Sequence, residues 1–565
     1  MKKLKLRKAR TQTQLMMIAA VIIIAAVGIY YVTRPGPSLE PSPGPSPGPS
    51  PSPEEEVILN YPRGGIVITL DPHESYSVPT QEVLVPVFET LLRYDPENPE
   101  GLIPCLAESW ELSENGYSYI FHLRQGVVFS DGTPFNASAV LYSYDRLKSL
   151  GYGPSWILDP VDMEASSIID PYTVNITLHY PYAPFIYCVA SQWGCLIVNP
   201  VLCKAHATTE DPWAHEYLME NMVGTGPYML DEWVREDHVT LVKNPSYWGG
   251  WEGPHVDKVF MPLISESVTR RLRLEDGTLD IGLLGIDDAL AVEGEEGINV
   301  ETVPGLTNYM IFMNTQKPPL DNKLIRYALS YMYDYAGTIE TIRRGIGTQA
   351  RGPIPQSLWG WDPECPQFTM NLTKAVELIE EASFKPEDIE LEYWFQGDES
   401  RRVAEVLQAN AAQIGVKINL HSTTWATLTE AARPGSGNAT DAHHLIGLYW
   451  WPDYADPIGF LDVMYKSYTN STSSTNIEDY PYFNWGYYSD PELNRILSEV
   501  VRETDHETAV ELIHQAQSII VEDAPAIFVF DSLNTLTYRD YVKGYYFNPL
   551  YTGTTDFYNI YIEGR

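Results

Sequence analysis

Residues 445–454, LIGLYWWPDY, hold the side chains in this 565-residue chain best suited to gripping a small molecule. An apolar strand runs into two tryptophans, Trp450 and Trp451, and then into Asp453 in a proline-bounded loop. Indole faces offer stacking surface to a side chain or a sugar ring. A carboxylate in a cleft that sheds its water gains strength as partner to an ammonium group. The competing reading of Asp453 is a loop cap or a solvated acid. His443 and His444 stand at the start of the same strand and raise the question of a metal. Successive strand residues point to opposite faces, so two neighbouring imidazoles do not readily chelate one ion, and no metal ligand is assigned.

Other chemistry is hard to place in this chain. Five cysteines, Cys105, Cys188, Cys195, Cys203 and Cys365, show no CxxC spacing for zinc or redox work. In an extracellular domain a local disulfide among Cys188, Cys195 and Cys203 is permitted, with buried free thiols as the alternative. There is no GxSxG, HExxH or Walker A sequence, so the expectation is a binder and not an enzyme, without a cofactor, whose ATPase, if it has one, lies on another chain.

The elements that must position these residues are mixed. With 44% hydrophobic residues, 14 Trp, 38 Tyr and 16 Phe, the chain can bury a large core in more than one lobe. The net charge of −38 repels nucleic acid and anionic lipid and favours cationic partners, solubility or salt tolerance. Residues 66–70 (IVITL), 117–123 and 174–178 read as strands. Asp490-Pro491-Glu492 opens a helix with an apolar face at Leu493, Ile496, Leu497, Val500 and Val501. A helix over 401–414 stops at Gly415, and 416–420 then alternates as a strand. Asn136 reads as the cap of a helix running through Leu147. Gly132 and Gly226 suit tight turns or close backbone approach, and Trp110, Trp233 and Trp248 read as core aromatics.

The N-terminus supplies an address. Residues 15–32 are uncharged and overwhelmingly apolar, enough to cross roughly 27 Å of hydrocarbon as a helix at about 1.5 Å per residue. Six basic residues precede this run and only Arg34 follows closely, so the expected orientation leaves the body of the chain outside the cell membrane on a single-pass anchor. A cleaved signal peptide is the rival reading, against which stand the length of the run and the lack of a following cysteine. Residues 35–56, rich in Pro, Ser and Gly, form a spacer that can reach up to roughly 70 Å in polyproline II conformation. Five N-x-[ST] sequons begin at Asn136, Asn175, Asn371, Asn438 and Asn470.

From Leu70 onward a series of blocks appears in order: LDPHES (70–75), FETLLRYD (88–95), LAESWELSENG (106–116), FHLRQGVVFSDGTPFNASAV (121–140), GTGPYMLDEW (224–233), NPSYWGG (244–250), FMNTQKPPLDNKLIRYALSYMYD (312–334), YWWPDYADP (449–457) and EDAPAIFVF (522–530). These blocks resemble the peptide/nickel class of solute-binding proteins of ABC importers, extracellular family 5, over about 500 residues. The resemblance implies a two-lobed α/β fold that closes like a flytrap, with an extra subdomain on the N-terminal lobe. The expected organisation is a basic stub and anchor at 1–34, a linker at 35–56, lobe I at 57–305 with its subdomain at about 93–221, lobe II at 306–531 and a return to lobe I at 532–565. Chain crossings are expected near 304–308 and 531–538. In the peptide-binding members the aspartate matching Asp453 holds the ligand's α-amino group and the position matching Trp450 is an aromatic contact. Relatives often have something smaller at Trp451, which here would narrow the pocket or change the ligand class. The resemblance thus implies a monomeric receptor that delivers oligopeptides or dipeptides to permease and ATPase subunits. An oligosaccharide receptor, a surface sensor without import and a secreted hydrolase are the alternatives.

Overall fold

The computed structural model describes residues 56–98, 101–551 and 553–565, so the expected anchor at 15–32 and nearly all of the spacer lie outside the described residues. Among the described residues no helix is long and apolar enough to cross a membrane.

Three sheets of four or more strands organise the described residues, beside two two-stranded pairs. One has four strands in the order Ile58–Asn60, Lys258–Pro262, His238–Lys243 and Tyr228–Val234. A second four-stranded sheet, Ala107–Leu112, Ser118–Leu123, Thr173–Leu178 and Val161–Asp170, is antiparallel throughout and falls inside the sequence interval between strands of the first. The third has six strands in the order Gly347–Thr348, Ala526–Arg539, Ile298–Met313, Leu445–Trp450, Glu390–Phe395 and Lys417–Ser422. Its two longest strands pair antiparallel, and the register breaks between Pro304 and Asn308, where the partner strand passes through 531–533. Separate apolar clusters lie on the first and third sheets. One joins Leu59, Val259 and Met261 to Phe557 and Ile560 of the C-terminal segment. Another packs Ile311, Leu391 and Leu445 against the helices Lys323–Met332, Leu372–Glu381 and Asp398–Gln413.

Local signals act as chemistry dictates. Asn136 accepts a hydrogen bond from the Ser138 amide at the head of helix Ala137–Leu150, and Asp490 accepts from Leu493 N at 2.7 Å ahead of Pro491–Val500. Gly132 has φ +86°, whereas Gly226 is needed for close approach, since a Cβ there would lie 2.6 Å from the Pro86 carbonyl oxygen. The helix expected from 401 begins earlier, at Asp398, because Gly397 at φ +88° turns the chain and Asp398 and Glu399 place acid in the first turn. Residues 66–70 are not a strand. Their burial alternates, with Ile66 and Ile68 exposed and Val67 and Leu70 buried, but among the described residues no strand pairs with them, and Leu70 N simply donates to Met219 O at 3.0 Å.

Asp71 of the LDPHES block explains that motif structurally. Its carboxylate takes two hydrogen bonds from Arg146, at 2.8 and 2.5 Å, with both side chains fully buried, and a third at 2.9 Å from His73 N. Arg146 Nε is satisfied by Trp213 O at 2.9 Å. Removing the cation leaves a buried carboxylate without its partner. Arg146→Leu is therefore expected to lower unfolding stability by about 3–5 kcal/mol in urea titrations, and Asp71→Asn added to it should recover part of that loss.

Candidate ligand-binding site

The strand Leu445–Trp450 runs antiparallel to Ile298–Met313, with Trp450 opposite Asn308, and parallel to Glu390–Phe395. Gly447 is required in it, because any Cβ would overlap the Tyr309 hydroxyl. The strand ends at Trp450, and residues 451–457 leave the sheet as a loop before helix Ile458–Tyr465. Trp450 is 9% exposed, its Nε1 donates to Gly459 O at 3.0 Å, and its ring meets Phe483 edge-on at 4.9 Å. It is a fixed wall. Trp451, 37% exposed, is the freer of the two indoles.

Together with Asp453 they line a cavity of about 480 Å³. Tyr76, Val78 and Trp193 form another part of its wall, and Trp425, Leu428 and Ser400 contribute from helices Trp425–Ala432 and Asp398–Gln413. That volume falls in the roughly 300–1,000 Å³ of small-ligand pockets, and the lining is mostly aromatic and aliphatic. Tyr76 and Trp193 pack edge-on at 5.1 Å. Sequence reasoning missed Tyr76, Trp193 and Trp425. Tyr76 follows the LDPHES block directly, but nothing local marks the other two as lining a cavity.

Asp453 is 8% exposed, and among the described residues no Lys, Arg or His forms an ion pair with it. Burial pushes its carboxyl up to about 7, against the pull of a hydrogen bond from the Tyr76 hydroxyl. Tyr76 keeps 45% of its surface accessible, yet the protein around it, and then the Asp453 charge, hold its phenol above the usual tyrosine range. The role of loop cap belongs to Asp456, which accepts from Ile458 N at 2.8 Å. The loop itself is pinned by distant residues. Ser191 Oγ donates to Asp453 O at 2.5 Å, Ala455 N donates to Tyr94 Oη at 3.3 Å, and the Tyr182 and Tyr454 hydroxyls lie 2.9 Å apart.

The two histidines precede the strand instead of opening it. His443 is buried with Nδ1 3.3 Å from Ala431 O, and His444 Nδ1 accepts from Glu392 N at 3.2 Å. Burial drives them down to about 3 and about 4, so both imidazoles are neutral and engaged with backbone. The five cysteines are buried free thiols, which decides between the two alternatives the sequence left open.

The sequence profile of the bacterial extracellular solute-binding proteins, family 5 middle, matches residues 101–472. The chain belongs to this family. Among curated relatives, the probable D,D-dipeptide-binding periplasmic protein of Escherichia coli is 32% identical over 486 residues, covering 85% of this chain and 90% of that protein. Heme-binding protein A of Haemophilus influenzae is 28% identical, covering 87% of this chain and 89% of its own length. Among solved structures, the periplasmic binding protein DppA of Helicobacter pylori in complex with the peptide STSA superposes with a TM-score of 0.74 at 25% identity, covering 90% of this chain and 98% of that one. HbpA2 of Haemophilus parasuis gives 0.76 at 27% identity, with 90% and 100% covered. The family 5 protein therefore has the mixed α/β, two-lobed fold of the periplasmic binding proteins.

The raised Asp453 carboxyl has a measurable consequence. Between about pH 4 and 7 the folded, empty protein holds a proton that the unfolded chain gives up, so this group's contribution to stability falls as pH rises through that window. Asp453→Asn should therefore raise the Tm of the ligand-free protein by several degrees at about pH 8 and change it little near pH 4. Equal shifts at both pH values would contradict the burial argument.

Proposed function

We propose that this family 5 protein is the extracytoplasmic receptor of an ABC importer and that it captures short peptides by their free amino terminus. One observation carries the reading: a buried carboxylate without a counter-ion among the described residues stands in the wall of an apolar cavity. An ammonium group placed against Asp453 would supply the missing charge in a medium where the pair is worth far more than in water. Trp451 would cover the adjoining side chain, with Trp450 as the rigid surface behind it. Trp193 and Tyr76 would close from the opposite side.

No bond is made or broken in this scheme. The two lobes would move about the strands Ile298–Met313 and Ala526–Arg539, where the register break at 304–308 faces 531–533. Lobe I would comprise 57–305 with the C-terminal return at 532–565, and lobe II 306–531. In support, Arg565 donates to Ile58 O at 2.9 Å and Tyr228 to Phe557 O at 3.3 Å, which ties the C-terminal segment to the first sheet. The loop carrying Asp453 is held by Ser191, Tyr94 and Tyr182 from the N-terminal half. Ligand capture and lobe closure would thus act on the same seven residues, and a permease could distinguish the loaded shape from the empty one. The apolar run at 15–32 would tether the receptor to the membrane, with the Pro-rich spacer giving it reach.

Calorimetry of the full chain in detergent with tri-alanine and its N-acetyl derivative tests the reading. Free tri-alanine should bind at least tenfold more tightly than the acetylated form, and Asp453→Ala should abolish the difference. The four indoles of the cavity, Trp193, Trp425, Trp450 and Trp451, favour an oligosaccharide as the second reading. Sugar binding that survives Asp453→Ala, with no peptide binding, would establish it in place of the first.

A further inference from the structure

The loop that carries Asp453 holds a second buried acid three residues on, and this one faces a different cavity. Asp456, 3% exposed, lines a cavity of about 340 Å³ that shares no lining residue with the first. The strands Ala107–Leu112 and Ser118–Leu123 bring Trp110 and Tyr119 to its wall, and Tyr187 and Trp359 add two more rings, 6.3 Å apart and inclined at 31°. Trp359 stands beside the acid, with Nε1 directed at Ala455 O at 3.4 Å. The cavity lies where these strands meet the C-terminal helices: Ala183 N donates to Val501 O at 2.7 Å, between two lining segments.

Asp456 is only half used by the fold. One carboxylate oxygen caps helix Ile458–Tyr465 by accepting from Ile458 N at 2.8 Å. The other makes no hydrogen bond among the described residues and keeps some surface accessible. No Lys, Arg or His forms an ion pair with the acid among the described residues, and burial pushes its carboxyl up to about 7. The neighbouring Tyr182, Tyr454 and Cys188 bring no charge, since burial holds all three above their usual ranges. Glu503 is the second carboxylate of the lining, which contains no lysine or arginine among the described residues; His506 packs on the Trp359 ring at 5.1 Å.

We propose that this cavity is a second binding site, for a small organic cation of the alkylammonium or quaternary ammonium class, with the free oxygen of Asp456 as its anion and Trp110, Tyr119, Tyr187 and Trp359 as its aromatic walls. Aromatic faces attract a cation that carries carbon substituents, and a buried carboxylate supplies the charge partner. Other occupants fit less well. An anion finds no lysine or arginine, and an uncharged solute leaves Asp456 unpaired. A calcium ion asks for about six to eight oxygen ligands, and among the described residues no three His, Cys, Asp or Glu side chains could hold a metal. The depth of the acid favours a free solute over the surface of another protein, and the net charge of −38 draws cations toward the chain.

The first cavity also sets an acid among indoles and can take the same cation, so the readout must be local. The test is fluorine NMR of the full chain in detergent, labelled with fluorotryptophan, with the two resonances of interest assigned from Trp110→Phe and Trp359→Phe. Choline is the ligand and dimethylbutanol its uncharged carbon isostere. Choline should shift both resonances saturably, the alcohol should need at least tenfold higher concentration, and Asp456→Asn, which keeps an oxygen for Ile458 N, should erase that preference. Resonances that stay still, or that respond equally to both compounds, overturn the proposal. So does a cation preference that survives Asp456→Asn, and so does a response to a lysine-rich peptide with none to choline, which would point to a protein partner instead. Should Asp456→Asn not fold, Trp110→Leu removes one wall and should weaken choline binding severalfold at the Trp359 resonance; unchanged affinity counts against the site.

Discussion

A carboxylate buried without a counter-ion among the described residues is the constraint on which the binding site depends. Ionised Asp453 in a mostly apolar cavity costs free energy that burial elsewhere must offset, and the tyrosine hydroxyl beside it repays only part. Two responses are open to such a group: to keep its proton, or to wait for a cation. Its elevation to about 7 puts the choice close to neutral pH, where an arriving ammonium group can tip it.

The fold holds that acid in place by arranging rigid parts around a short loop. Trp450 is locked by its indole hydrogen bond and by Phe483, so the loop leaves the sheet from a fixed point. Asp456 ties the far end to the next helix, and hydroxyls of Tyr94, Tyr182 and Ser191 meet the intervening backbone and Tyr454. In this arrangement the hydroxyl contacts to the middle of the loop come from the half of the chain that also supplies Tyr76 and Trp193. Lobe closure and dehydration of the acid are then one event in the proposed mechanism.

Much of the fold was legible because its signals are local. The caps at Asn136 and Asp490, the stop at Gly415 and the strands around 118–123 and 173–178 follow from one or two neighbouring side chains. Residues 66–70 misled because a run of β-favouring side chains reports local preference and not whether a partner strand exists. The order of motif blocks carried the family assignment, and the tandem indoles drew attention to Asp453. The opposite wall was not legible. Tyr76, Trp193 and Trp425 come to line the same cavity as Asp453 only through long-range packing, and a lone tryptophan reads the same whether it faces a core or a cavity. The free oxygen of Asp456 was likewise invisible, since it is defined by a hydrogen bond that other described residues do not make.

The proton on Asp453 offers the most direct measurement. Binding of tri-alanine to the full chain near pH 6, followed by calorimetry in buffers of differing ionisation enthalpy, counts protons exchanged with solvent. If an ammonium group meets the buried carboxyl, binding should release close to one proton near pH 6, and near pH 8, where about half of the free α-amino groups are uncharged, the balance should turn to a net uptake of a fraction of a proton. Binding without proton release at the lower pH, or with uptake there, would contradict the account.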